Sequence, residues 1–196
     1  MDAFKLLLTG ASLALMSSVA LANTAHDFKG LGAPATHEQI AGWNIDVFPD
    51  GTGLPPGEGT VVMGEKLYKT QCIGCHGVNL EGGMGPKLMG GQGSLATDTP
   101  VKTIGSYWPY ATTVFDYVRR AMPFQSPQSL TNDEVYGVTA FLLNKNGILP
   151  ADAKLDAKSL AAVRMPNRDN FYVDNRPDTK NVRCMTDCLK KSGANP

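Results

Sequence analysis

The chain is organised around Cys72-Ile73-Gly74-Cys75-His76. Two cysteines three apart can both bond the vinyl groups of one haem, and the histidine after the second is then placed to ligate the iron. This spacing is the c-type haem attachment pattern. A bare Cys-x-x-Cys also serves zinc ribbons and thiol oxidoreductases, but zinc sites of that kind need a second pair or further histidines at matching spacing. No such cluster follows. A redox dithiol with an incidental histidine is the remaining alternative, and the rest of the chain weighs against it. The expected cofactor is one haem c held covalently by Cys72 and Cys75, with His76 on the iron.

The 196 residues carry 18 basic and 18 acidic side chains, and 42% are hydrophobic. That balance predicts one domain with extensions. With no basic surplus to neutralise phosphates, it predicts no nucleic-acid partner. At the N-terminus, Lys5 precedes an apolar stretch from Leu6 to Val19, and Ala20-Leu21-Ala22 offers a cleavage site. Residues 1–22 therefore read as a signal peptide, which places the mature chain in the periplasm. The alternative is an uncleaved anchor, although the stretch is short and interrupted by Thr9, Gly10 and Ser12. No later segment is apolar enough to span a bilayer, so no membrane span is expected after cleavage. Cys184 and Cys188 lack a following histidine and are not a second haem site. In an exported chain two remaining cysteines are most simply a disulfide, here pinning the end of a tail.

Residues 23–59 form a Gly- and Pro-rich arm. Within it the sequence predicts a short helix from Thr36 to Ala41, with Thr36 as N-cap and Gln39 closing a capping box. Trp43, Ile45 and Val47 alternate like a brief strand. His26 and His37 lie in this arm and read as surface residues rather than iron ligands. From Thr60 a helix runs into the haem motif, with Met63, Leu67 and Gln71 on one stripe and Gly64, Tyr68 and Cys72 on the next. Gly64 leaves room for another helix to cross closely. After Gly77, the run from Gly82 to Gly91 reads as the loop on the histidine side of the haem. A metal-bound histidine usually donates its other ring N–H to a carbonyl, and the carbonyl near Pro86 is the candidate acceptor.

Tyr107-Trp108-Pro109-Tyr110 precedes a helix on which Val114, Tyr117, Val118 and Ala121 form the apolar stripe. Pro123 disfavours helical geometry at Met122, so the helix ends near Ala121 and Met122 is extended. A methionine is the usual second axial ligand in electron carriers, which makes Met122 the candidate. Met84 and Met89 follow His76 too closely to leave its side of the ring. Met165-Pro166 repeats the Met-Pro arrangement and remains a rival. Thr131 and Glu134 form a capping box for a last core helix to Asn144, with Gly147 and Pro150 beyond its end. A helical core over 60–147 is then followed by a C-terminal extension over 148–196, with a weak helix from Asp156 to Val163 and a polar tail.

The series Cys72-x-x-Cys75-His76-Gly77, Gly85-Pro86-x-Leu88, Met122-Pro123 and a capped final helix resembles the class I cytochrome c domain over roughly residues 60–147. The resemblance implies an all-α fold with extended arm and tail. It also implies His76 and Met122 as axial ligands, the Pro86 carbonyl on the histidine, and Tyr107 or Trp108 near the haem propionates. The flanks resemble a narrower group. Trp43-Asn44-Ile45-Asp46-Val47, Asp50-Gly51-Thr52-Gly53-Leu54-Pro55, the run from Tyr117 to Phe124, Arg164-Met165-Pro166-Asn167-Arg168 and Asn181-Val182-Arg183-Cys184 are similar to the cytochrome subunits of sulfane and sulfite dehydrogenases. That implies electrons taken from a molybdenum-containing catalytic subunit in sulfur-compound oxidation and passed to a downstream cytochrome c acceptor. Some members carry a second haem domain; this chain has one attachment motif. No residue is assigned to substrate chemistry, so the chain is expected to be an electron-transfer subunit rather than a catalytic one. A freely diffusing carrier, and a haem enzyme or gas sensor with an open sixth position, are the alternatives.

Overall fold

A computed structural model describes residues 32–176. The signal segment 1–22, His26, Cys184 and Cys188 lie outside the described residues. The chain divides into a unit ending at Trp43 and a larger one starting at Asn44. In the first, helix α1 spans His37–Trp43. Its start is the predicted capping box: the Gln39 N–H donates to Thr36 Oγ1 at 3.2 Å, and the Thr36 N–H donates to Gln39 Oε1 at 2.8 Å. The helix outruns the expected Ala41 end and takes Trp43 with it. The alternating strand read into Trp43, Ile45 and Val47 does not form, and 44–48 is irregular.

The larger unit runs β1 (Glu58–Thr60), α2 (Val61–Gln71), α3 (Ile73–His76), a 3-10 turn (Ser94–Ala96), α4 (Ala111–Ala121), α5 (Asn132–Lys145), β2 (Lys154–Asp156) and α6 (Ala157–Ala161). It is mostly helical, as expected. The strands are short and pair antiparallel, Glu58 with Asp156, Gly59 with Leu155 and Thr60 with Lys154.

Helix α5 is the centre. Every residue from Val135 to Leu143 is buried, so the helix is apolar around its circumference because it is enclosed on all sides. Its predicted capping box is present. Helix α2 crosses it at Gly64, where an added side chain would collide with the Gly137 backbone. One turn later Tyr68 stacks obliquely on Phe141, ring centroids 5.2 Å apart. Of the two stripes on α2, Gly64 and Tyr68 face the core, whereas Met63 is 45% exposed. On α4 the buried stripe is Ala111, Val114, Phe115 and Val118, one step round the helix from the one predicted. Phe115 takes the centre by stacking on Tyr136 at 4.5 Å. Tyr117 is left half-exposed, edge-on to Trp108.

The segments flanking these helices belong to the same core. Leu155, Leu160 and Met165 are fully buried in it. The helix expected over Asp156 to Val163 is shorter, because Asp156 ends β2 and caps α6, accepting from the Ser159 N–H at 2.7 Å. On the other side, Tyr136 Oη donates to the Pro55 carbonyl at 2.8 Å, and Asp133 Oδ1 accepts from the Glu58 N–H at 2.8 Å.

Candidate haem site

Helix α2 ends at Gln71. Cys72 stands between it and α3 with a helical backbone, and its N–H still bonds the Tyr68 carbonyl at 3.0 Å. The short turn α3 then carries Cys75 and His76 on from the same axis. Neither cysteine forms a disulfide, and both are half-buried. Burial pushes the Cys72 thiol up to about 11, with Cys75 as the second cause.

The loop after the motif folds back over it through backbone hydrogen bonds. The Gly82 N–H donates to the His76 carbonyl and the Gly85 N–H to the Cys75 carbonyl, each at 2.9 Å. Tyr68 Oη donates to the Gly77 carbonyl at 2.7 Å. These bonds order a glycine-rich stretch that composition alone leaves without structure. They bring Pro86 to the histidine: His76 Nδ1 lies 2.8 Å from the Pro86 carbonyl oxygen. A carbonyl can only accept, so Nδ1 is the donor here, which leaves Nε2 as the nitrogen that could bind a metal. Gly85 makes this approach possible, since a Cβ there would stand 2.9 Å from His76 Cε1 and 3.0 Å from Nδ1.

Two cysteine sulfurs, an imidazole held by a hydrogen bond at Nδ1 and an adjacent apolar core fit a covalently attached haem. Among the described residues no cluster of His, Cys, Asp or Glu could hold a separate metal ion.

Met122 caps α4 in the extended conformation the following proline predicts, φ −121° and ψ 145°, with its N–H on the Val118 carbonyl at 3.0 Å. It is half-buried and packs on the core. Met165 is 1% exposed, enclosed by protein on all sides. Met84 is exposed on the histidine-side loop. Trp108 packs on the core. Tyr107 is more open, its ring edge-on to Phe171 and below Lys102.

Sequence reasoning missed three residues that hold these parts in place. Asn146, at the end of α5, donates from Nδ2 to the Leu88 carbonyl at 3.1 Å and to the Leu142 carbonyl at 2.9 Å, tying the histidine-side loop to the central helix. Asn167, buried in the C-terminal segment, donates to the Tyr107 carbonyl at 2.8 Å. Asp116 binds the segment before β1 to α4. An asparagine just past a helix pattern was the available signal for the first. The other two act across more than fifty residues and leave no local mark.

A cytochrome c family model matches residues 61–146. The structure aligns with the crystal structure of the sulfane dehydrogenase SoxCD from Paracoccus pantotrophus at a TM-score of 0.72, with 48% identity over 82% of each chain. The chain belongs to the cytochrome c family. As a cytochrome c it carries covalently attached haem c, consistent with its paired thiols. It is also 55% identical over 31 residues to cytochrome c-551 of Bacillus subtilis. That match takes in 16% of this cytochrome and spans 28% of the Bacillus protein. No helix among the described residues is long and apolar enough to cross a membrane.

Proposed function

We propose that this cytochrome is the monohaem electron-transfer subunit of a molybdenum-dependent sulfane or sulfite dehydrogenase. It acts in the periplasm after removal of residues 1–22, taking electrons from the catalytic subunit and passing them to a downstream cytochrome c. The observation that carries this reading is the 48% identity to the SoxCD chain over 82% of both chains. A likeness confined to the haem core would stop near the 61–146 match. This one reaches well into the arm and tail.

In this reading Cys72 and Cys75 hold the haem through thioether bonds, and His76 binds the iron through Nε2. The bound haem supplies a one-electron Fe(III)/Fe(II) couple. The chain's own residues set where that couple lies. The Pro86 carbonyl, 2.8 Å from His76 Nδ1, makes the imidazole a stronger donor and favours the ferric state. Met122 is the sixth ligand, a soft thioether that favours the ferrous state. It keeps part of its surface open at the end of α4, whereas Met165 has no open side from which to reach an iron. Trp108 and Tyr107 would flank the propionates, and the buried α5 would help to keep water from the ring.

The test is a pull-down of the tagged holoprotein from its native host, with molybdenum analysis and reduction by sulfite and thiosulfate. A stoichiometric molybdoprotein that reduces this haem when a sulfur compound is added is the expected result. Haem protein recovered alone and reduced by many unrelated donors would leave a general electron carrier.

A further inference from the structure

Helix α4, whose C-terminal half leads into Met122, is fastened to the segment 45–49 by side chains that the haem chemistry itself does not use. Asp116 is the centre of this arrangement. Its Oδ1 accepts from the Val47 N–H at 3.0 Å and from Arg120 at 2.8 Å, and its Oδ2 accepts from Arg120 Nε at 3.2 Å. Arg120 continues outward to Asp46 Oδ1 at 2.8 Å, and Arg119 donates to the Ile45 carbonyl at 3.3 Å. A turn further back, Thr112 Oγ1 donates to the Pro49 carbonyl at 3.1 Å. Val47 itself is buried, so the segment is anchored in the core and is not a loose strap.

The members differ in weight. The Asp116 side chain is 22% exposed, that of Arg120 39% and that of Asp46 60%. The outer pair is screened by water and contributes little. The inner carboxylate has charge-assisted bonds in a site water reaches poorly, which are the strong kind. Asp116 also joins two chain segments 69 residues apart, so its loss removes a bond between α4 and the segment and not merely one to its own neighbour Arg120.

We propose that Asp116 is a positioning residue for Met122: by locking the final turn of α4 onto residues 45–47, it keeps the thioether at the iron and limits its detachment. The inference rests on Met122 being the sixth ligand. A methionine at a helix C-cap moves with that helix end, because its N–H hangs on the Val118 carbonyl and its side chain has no covalent tether beyond the chain. If the turn frays, the Fe–S bond breaks and an external nitrogen base can form an Fe–N bond in its place, with no change in oxidation state.

Imidazole added to the ferric holoprotein reads this opening, since its apparent affinity scales with the fraction of molecules whose methionine is off. In Asp116→Asn the affinity for imidazole is expected to rise about tenfold, and the far-red methionine-to-iron charge-transfer band should fade at a lower temperature than in the wild type. Arg120→Gln should move both readings the same way but less, and it serves if Asp116→Asn does not accumulate. Thr131→Ala, which removes the α5 capping box and touches none of the bonds to residues 45–49, is the control: its unfolding temperature should fall while its imidazole affinity stays at the wild-type value. Wild-type imidazole affinity in both Asp116→Asn and Arg120→Gln, or an equal rise in Thr131→Ala, would overturn the positioning role alone, provided Met122→Ala has lost the band. A band retained in Met122→Ala would overturn the ligand assignment and the positioning role with it.

Discussion

Gly64 of α2 and Gly137 of α5 meet backbone to backbone, with no room for a side chain on Gly64. The contact sets the crossing point of the two helices, and through α2 it sets where Cys72 leaves the helix. Gly64→Ala should therefore push the helices apart, at a cost of about 3 kcal/mol and a melting temperature lower by about 10 °C. Thermal unfolding of the holoprotein followed by haem absorbance tests this. A loss under about 1 kcal/mol would mean the crossing is looser than drawn here.

The two methionines next to proline separate cleanly. Met122→Ala is expected to leave a folded haem protein with no far-red methionine band and a lower reduction potential, because a thioether ligand favours the ferrous iron. Met165→Leu, a volume-conserving change in a closed core, should keep the band and cost less than about 1.5 kcal/mol. The opposite pair of spectra would transfer the ligand role to Met165.

Gly85 presses on the imidazole of His76, and a methyl group there would have to displace the ring. Displacement weakens the Nδ1–H bond to Pro86, which makes the histidine a poorer donor to ferric iron. Gly85→Ala should raise the reduction potential, measurable by equilibrium redox titration. A lowered or unchanged potential would show that the ring keeps its hydrogen bond by another route.

Tyr136 and Tyr68 have phenol pKa values pushed up to about 12, with burial as the main cause for each. Unfolded, such phenols titrate near 10. Between these values the folded protein keeps protons that the unfolded chain has lost, so their contribution is fully present below about pH 10 and disappears as pH rises towards 12. Tyr136→Phe should flatten this alkaline limb of the stability curve, while costing about 1 kcal/mol at neutral pH for the lost bond to Pro55. Melting temperatures of wild type and variant from pH 8 to 12 would decide it; parallel curves would mean that Tyr136 does not contribute.

What was legible in the sequence was local. The Thr131–Glu134 and Thr36–Gln39 boxes span three residues each, and caps of that kind are written in adjacent side chains. The Pro86 acceptor lies ten residues from His76 and came from motif chemistry. The α4 stripe was misplaced by one step because Tyr117 and Phe115 are similar in apolar character; only the partner ring of Tyr136 decides which one turns inward. The strand read at Ile45 and Val47 failed because the Val47 N–H goes to the Asp116 carboxylate, not to a neighbouring strand. The β1–β2 pair is three residues long on each side, too short for alternation to register, and joins positions almost a hundred apart.

That last pairing makes the cytochrome a closed circuit. Glu58 to Thr60 enters the haem helices and Lys154 to Asp156 leaves them side by side, so the polypeptide enters and leaves its haem helices at a common seam. A fragment trimmed to the 61–146 family match would lose both halves of the seam, together with Leu155, Leu160 and Met165 from the interior. A piece that keeps the seam and these interior residues runs from about Asn44 to about Asn170. Joining the two flanks outside the seam, with fresh ends opened in an exposed loop such as 97–100, would keep both strands paired and the flanking core residues in the chain.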